Sequence, residues 1–261
     1  MGAKIMIDMS ERYLREKLQK EKLELLYQNT ILTPFEQFRN FPVFTPRFNL
    51  ARFITHYELF KKVYELPGII IDLGVFRGAS LFTWAKLCEI FCPTDVRKTV
   101  YGFDTFEGFP TIMEEDGTEE VDYDKHPGGY YAGSTVEKDL QIAIEAMDID
   151  RHIAEVPRIK LIKGDACVTI PDFVKSFGNG LRICLLNLDL DLYEPTKVAL
   201  DCFMPFMVKG GIIIADEYAV KTFGGESKAL DDWFQENRGE RPQLQKFNWH
   251  SNPSAYLTVN W

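Results

Sequence analysis

Two pairs of acidic residues stand out by position. Asp189 and Asp191 are two apart, directly after the apolar run 183–188, and Asp216 and Glu217 close a second apolar run at 211–215. Residues two apart on an extended segment share a face, so Asp189 and Asp191 would present their carboxylates together. If the two runs are neighbouring strands, Asp216 and Glu217 join them. Carboxylates converging without Lys or Arg repel unless a cation or a proton offsets their charge. Hard oxygen donors with open positions suit Mg²⁺, which keeps some of its waters. Separate solvated acids at strand ends are the plain alternative.

A second set of residues suits an organic ligand. Asp72, Gly74 and Gly78 mark a turn that follows the apolar run 69–71 and leads into a helical stretch. Gly74 lets a ligand approach the backbone, and amides opening the next helix can receive a carboxylate. Asp104 ends the run 99–103, where a carboxylate can accept both hydroxyls of a ribose. The phosphate-binding pattern G-x-G-x-x-G is missing, which counts against a nicotinamide oxidoreductase. His56, His126, His152 and His250 show neither metal spacing nor a visible nucleophile–base order. Tyr193, Tyr218 and Phe106 serve equally as a sugar-stacking wall or as plain core.

The elements that must position these residues alternate in type. Short apolar runs at 69–71, 99–103, 159–163, 183–188 and 211–215 are each closely followed by an acidic residue. Helical stretches at 78–91, 134–147, 171–177 and 195–207 lie between them, with Ser134 and Glu137 as a capping box and Pro171 and Pro195 in first turns. Apolar strands alternating with helices predict a parallel sheet covered on both faces. Ligands of such a sheet bind at the carboxyl ends of its strands, where most of these acids fall. After a helix at 225–237, the runs 244–249 and 255–259 read as a final antiparallel pair at one end of the sheet.

Residues 1–67 read as an N-terminal helical extension and 68–261 as the main domain. In the extension, a charged helix at 10–29 carries Leu14, Leu18, Leu25 and Leu26 on related turns. That stripe either packs on the domain or makes a homodimer contact. Pro42 and Pro46 interrupt helical structure, and a second helix runs from an Asn49 cap to about residue 66. Residues 105–133 form an acidic insertion with Glu114, Glu115, Asp116, Glu119, Glu120, Asp122 and Asp124, ending in Pro127, Gly128 and Gly129. It is too long for a simple connection and reads as a lid.

The whole chain narrows the partners. With 261 residues, 46% hydrophobic and 26% charged, it has enough apolar sequence for a substantial core. A net charge of −9 without a basic run argues against a nucleic-acid surface. No run approaches the roughly 20 apolar residues of a bilayer span, and residues 1–10 show no secretory signal. Cys88, Cys92, Cys167, Cys184 and Cys202 lack C-x-x-C spacing and read as reduced thiols in a cytoplasm.

Four segments together resemble the macrocin O-methyltransferase (TylF/MycF/NovP) family. They are Gly74-Val75-Phe76-Arg77-Gly78-Ala79-Ser80, the stretch from Tyr101-Gly102-Phe103-Asp104 to Gly108-Phe109-Pro110, Leu188-Asp189-Leu190-Asp191-Leu192-Tyr193-Glu194-Pro195-Thr196, and Gly210-Gly211 through Asp216-Glu217-Tyr218. Residues 225–231 add a weaker echo. The resemblance implies a class I S-adenosylmethionine-dependent methyltransferase fold and Mg²⁺-assisted methylation of a sugar hydroxyl, on a nucleotide-linked deoxysugar or a glycosylated natural product. By motif, Asp189, Asp216 and Glu217 would be metal ligands and Asp191 the general base. Asp72 and the turn Gly74, Val75, Phe76, Arg77, Gly78 and Ala79 would hold the methionine portion, and Asp104 the ribose. Gly164 and Asp165 would border the adenine, with Ser134 and Asp189 completing the cofactor contacts. The family usually has two aspartates where this chain has Asp216 and Glu217. The rival functions are a catechol or other phenolic O-methyltransferase and a binding module that holds S-adenosylmethionine without turnover.

Overall fold

The structure is a computed structural model and describes residues 9–117, 124–250 and 252–261. Glu119, Glu120 and Asp122 of the acidic insertion lie outside the described residues, as does most of the segment read for a secretory signal. The chain divides into two compact units, residues 1–51 and 52–261.

The first unit holds α1 (Met9–Asn29), α2 (Pro34–Arg39), α3 (Phe41–Phe44) and the start of α4 (Arg47–Phe60). Thr33 and Glu36 form a reciprocal capping box at the start of α2. Pro42 sits in the first turn of α3, where its missing N–H costs nothing, so it opens a short helix rather than only ending one. Tyr27 Oη donates to the Phe44 carbonyl at 3.1 Å, fastening α1 to α3. Leu14, Leu18 and Leu25 remain exposed. The helix α4 starts two residues before the expected Asn49 cap, and its second half lies in the larger unit. There Leu59 and Phe60 are fully buried, which draws the boundary of that unit back from residue 68 to Arg52.

The larger unit is built on six strands: β1 (Ile69–Leu73), β2 (Val100–Asp104), β3 (Ile159–Lys163), β4 (Ile183–Leu188), β5 (Met207–Ala215) and β6 (Ala255–Thr258). Their order is β3-β2-β1-β4-β5-β6. The first five are parallel, and β6 pairs antiparallel with β5. The run 244–249, expected as a strand, makes a single bridge, Gln245 to Tyr256. Beyond it Phe247 stacks on Tyr256 at 5.3 Å and Trp249 packs on Phe247 at 4.6 Å, so ring packing replaces further ladder bonds.

Both faces of the sheet are covered. Helices α7 (Ala166–Phe177), α8 (Tyr193–Phe203) and α9 (Gly224–Arg238) bury Phe173, Phe203 and Trp233 against Ile71, Leu186 and Ile213. On the other face α4, α5 (Ala79–Phe91) and α6 (Val136–Ile149) bury Phe60, Trp84 and Leu140 against Ile70, Leu185 and Ile212. Alternate residues of one strand thus feed opposite cores, which is why the central strands β1 and β4 are buried and largely apolar along their length, whereas the edge strand β3 exposes Lys160 and Lys163. Two helix starts differ from expectation. Asp165 caps α7 by accepting from the Cys167 amide at 2.8 Å, so Pro171 falls inside the helix. Thr135, not Ser134, precedes α6, and Glu137 pairs with Lys163 at 2.8 Å instead of closing a capping box.

Candidate active site

The strand order reverses between β1 and β4, which opens a crevice at the carboxyl ends of the strands. A cleft there is lined by Gly74, Asp104, Gly164, Asp165 and Asp189, with Phe109 and Tyr130 from the insertion on its wall. Gly74 has φ +79°, and a Cβ on it would stand 1.8 Å from the Asp189 carbonyl oxygen. Only glycine allows the β1 turn to lie against the chain leaving β4.

Asp104 is fixed from both sides. Its Oδ2 accepts from the Phe76 amide at 2.7 Å and its Oδ1 from the Phe106 amide at 2.6 Å. Both phenylalanines are left-handed, with φ +50° and +56°, a conformation costly for a bulky residue. Burial pushes the Asp104 carboxyl pKa up, against the pull of these amides. Each carboxylate oxygen retains a second lone pair for a ligand.

The remaining expected cofactor residues separate. Arg77, Gly78 and Ala79 line a neighbouring depression with Phe82 and Leu140, and Val75 is buried. Asp72 has no exposure and does not reach the cleft. It accepts from Ser80 Oγ at 2.9 Å, Trp84 Nε1 at 3.0 Å and Asn187 Nδ2 at 2.9 Å, bracing β1, α5 and β4 together. Burial raises its pKa to about 7 against those three donors. Ser134 is exposed at the edge of α6, away from the residues that line the cleft.

The acids after β4 and β5 do converge, but around an arginine. The guanidinium of Arg52, from α4, places Nη2 3.1 Å from Asp189 Oδ2 and 3.2 Å from both oxygens of Asp216. Expectation from the sequence left these acids without a basic partner. The cation comes from a helix 137 residues before Asp189, so no local pattern reveals it. Burial raises the pKa of Asp189 and of Asp216; for Asp189 the neighbouring Asp216 adds to the rise, and for both Arg52 opposes it. Glu217 is turned to Asn252, whose Nδ2 donates to its Oε1 at 2.7 Å; burial and the charge of Asp216 push its pKa up to about 7.

Asp191 does not continue the strand. The ladder ends at Leu188, and Asp191 has φ +63°, so the shared face expected of an extended segment is lost and a left-handed turn leads into α8. Glu226, which sequence reasoning missed, is fully buried at the start of α9. Its Oε1 accepts from the Glu217 amide at 3.0 Å, its Oε2 has no hydrogen-bond partner, and burial drives its pKa well upward. The Gly225-Glu226 echo was its only trace in the sequence.

The insertion is anchored where it is described. The buried Asp116 accepts from the Tyr193 amide at 2.6 Å and the Met113 amide at 2.8 Å. Lys125, also buried, donates to the Asp116 and Thr222 carbonyls. Two charged residues of the acidic tract therefore tie it to α8 and to the approach to α9.

For a divalent cation the donor chemistry fits in part. Two carboxylates already share one cationic nitrogen, and hard oxygens are what Mg²⁺ takes. A set of three metal-ligating side chains is not gathered among the described residues; Asn252 Nδ2 lies 2.7 Å from Glu217 Oε1 and 3.4 Å from Asp216 Oδ2.

The macrocin-O-methyltransferase (TylF) family model matches residues 55–252, three quarters of the chain and all of this site except Arg52. The chain belongs to that family. This family member is 29% identical over 163 residues to 8-demethyl-8-(2,3-dimethoxy-alpha-L-rhamnosyl)-tetracenomycin-C 4'-O-methyltransferase of Streptomyces olivaceus, covering 59% of this chain and 54% of that one. It is 25% identical over 156 residues to mycinamicin III 3''-O-methyltransferase of Micromonospora griseorubida, covering 59% and 57%. The matched part thus spans a little over half the length of these curated relatives. Among solved structures, CalS11, a calicheamicin methyltransferase, superposes with a TM-score of 0.84 at 28% identity, covering 94% of this chain and 92% of that one. The O-methyltransferase NovP shares the fold, with a TM-score of 0.59 at 19% identity over 81% of each chain. The fold of this macrocin O-methyltransferase family member is the class I methyltransferase fold, as its sequence implied.

Proposed function

We propose that the protein transfers a methyl group from S-adenosylmethionine to a hydroxyl of a sugar-containing small molecule. One observation carries the reading. The cleft at the β1, β2 and β3 ends, with Gly74, Asp104 and Asp165, runs directly into the acids after β4 and β5 through Asp189, which belongs to both. A methyl donor bound in the first part would meet an acceptor at the second. The curated relatives are named for methylating a rhamnosyl-tetracenomycin and mycinamicin III, and a second solved structure of CalS11 is described as a TDP-rhamnose 3'-O-methyltransferase.

In this reading Asp104 accepts the ribose hydroxyls and Gly74 leaves room for the donor. Asp165 borders the base. The acceptor would enter by a depression of about 640 Å³ lined by Tyr218, Phe247, Trp249 and His250, whose rings suit the apolar face of a sugar. Asp191 takes the hydroxyl proton, since an aliphatic alcohol is a weak nucleophile near neutral pH while the sulfonium methyl is already activated. The remaining work is to align oxygen, methyl and sulfur. Asp189 and Asp216, with Glu217 if it leaves Asn252, would hold Mg²⁺, which when bound supplies Lewis-acid polarisation of the hydroxyl.

The five free thiols support a reducing, cytoplasmic setting; among the described residues no helix is long and apolar enough to cross a bilayer. The exposed Leu14, Leu18 and Leu25 of α1 support a homodimer contact through the N-terminal helices.

The test is methyl transfer from labelled S-adenosylmethionine to nucleotide-linked deoxysugars, glycosylated natural products and catechols, each with Mg²⁺ and with a chelator. Label on a sugar hydroxyl, lost with the chelator, is the expected result. Preference for catechols would move the protein to the phenolic class, and donor binding without transfer to any acceptor would make it a binding module.

A further inference from the structure

The arginine at the centre of the acid group has its own consequence. Arg52 Nη2 lies within 3.2 Å of oxygens on both Asp189 and Asp216, and Asp216 is almost fully buried. Two carboxylates held this close need a positive charge between them, and the guanidinium supplies it. The fit is incomplete, however: Arg52 Nε is buried and has no hydrogen-bond partner, a cost an arginine seldom carries where its whole fork is matched. The third acid, Glu217, is meanwhile held by the Asn252 amide. All three acids are thus supplied with protein donors, and a dication that ligates Asp189 Oδ2 together with Asp216 takes the place of the arginine.

We propose that Arg52 is a built-in counter-cation of the Asp189–Asp216 pair, and that a divalent metal binds here by exchange, displacing the guanidinium from both carboxylates. This rests on the reading of the acid group as a metal site. Exchange would let a chain with so acidic a pocket fold without the metal, since the arginine offsets the repulsion until the metal arrives. It also makes metal affinity weaker than three carboxylates would give, because each binding event must break a buried ion pair.

The experiment is titration of Mn²⁺ alone into the full chain, without methyl donor or acceptor, read by electron paramagnetic resonance of the free ion. The native protein is compared with Arg52→Gln and Asp216→Asn. Exchange predicts that Arg52→Gln binds Mn²⁺ about tenfold or more tightly, in line with the coupling of close charge pairs. It also predicts that Arg52→Gln melts lower than the native chain with a chelator and recovers when Mn²⁺ is added. Asp216→Asn should lose the binding. If native and Arg52→Gln proteins bind Mn²⁺ equally, or the variant binds more weakly, exchange is wrong while the metal site stands. If neither binds, both exchange and the metal site fall. Should Arg52→Gln not fold, nitrogen-15 NMR of the native chain decides: the Arg52 side-chain signals must shift as Mg²⁺ saturates the site, and unchanged signals overturn the proposal.

Discussion

Gly74 and the carbonyl of Asp189 are packed so closely that a single added methyl group has no room. A Cβ on Gly74 would stand 1.8 Å from that oxygen, which is backbone and cannot swing aside. Two parts of the candidate site, one after β1 and one after β4, are therefore set against each other by the absence of a side chain. Gly74→Ala must also hold φ near +79°, which alanine resists. The expected outcome is a loss of about 2–4 kcal/mol in urea unfolding, from strain and forced separation. Wild-type stability with unchanged donor affinity would show that the turn can open without cost.

Asp104→Ala should weaken binding of S-adenosylmethionine and of its demethylated product by about 1.5–3 kcal/mol, the worth of hydrogen bonds to a charged acceptor. Calorimetry measures it directly. The same substitution frees the Phe76 and Phe106 amides, so thermal unfolding should fall as well. Unchanged affinity in a variant that still folds would reassign Asp104 as a brace for its two left-handed neighbours.

Asp191→Asn should slow turnover by about 10²–10⁴-fold, the usual contribution of a positioned base, with donor binding retained. Because hydroxide can take over proton removal, the deficit should shrink as pH rises. A pH–rate profile parallel to that of the native enzyme would rule out the base role.

Glu217 gives a pH dependence of stability whose sign is fixed by its surroundings. Burial and the charge of Asp216 raise its pKa from 4.5 to about 7. In the folded state the protonated form is favoured, so the stabilisation it contributes is complete below about pH 4.5 and is lost as pH climbs through about 7. Glu217→Gln should remove that part of the decline. Urea midpoints collected from pH 4 to 8 with a chelator present compare the two proteins; an unaltered slope in the variant would mean that folding leaves the Glu217 pKa where it is in the unfolded chain.

Asp116→Ala should cost about 1–3 kcal/mol, because the Tyr193 and Met113 amides lose a buried acceptor. Proteolysis should then cut the acidic insertion faster than in the native chain. A variant as stable and as resistant as the native protein would mean that Lys125 alone holds the segment.

The sequence by itself determined the sheet and the strand ends at which its acids fall. The apolar run 183–188 and the mixed run 159–163 are flanked by turn residues, and their strands form at those same bounds. Their acids fall at carboxyl ends for a local reason: backbone direction and the next turn decide where residue 189 or 216 must lie. Helix starts were less legible where two local signals competed, as when Asp165 took the cap of α7 and left Pro171 inside the helix. Tertiary structure alone decided the partners. Asp72 reads as a ligand contact until Ser80, Trp84 and Asn187 surround it. Arg52, Asn252 and Glu226 come to the acid group from α4, from the link before β6 and from the start of α9. Nothing within a few residues of Asp189 or Asp216 announces them, because charge compensation depends on distance in space, and a cation 164 residues from Asp216 along the chain is a neighbour only after folding.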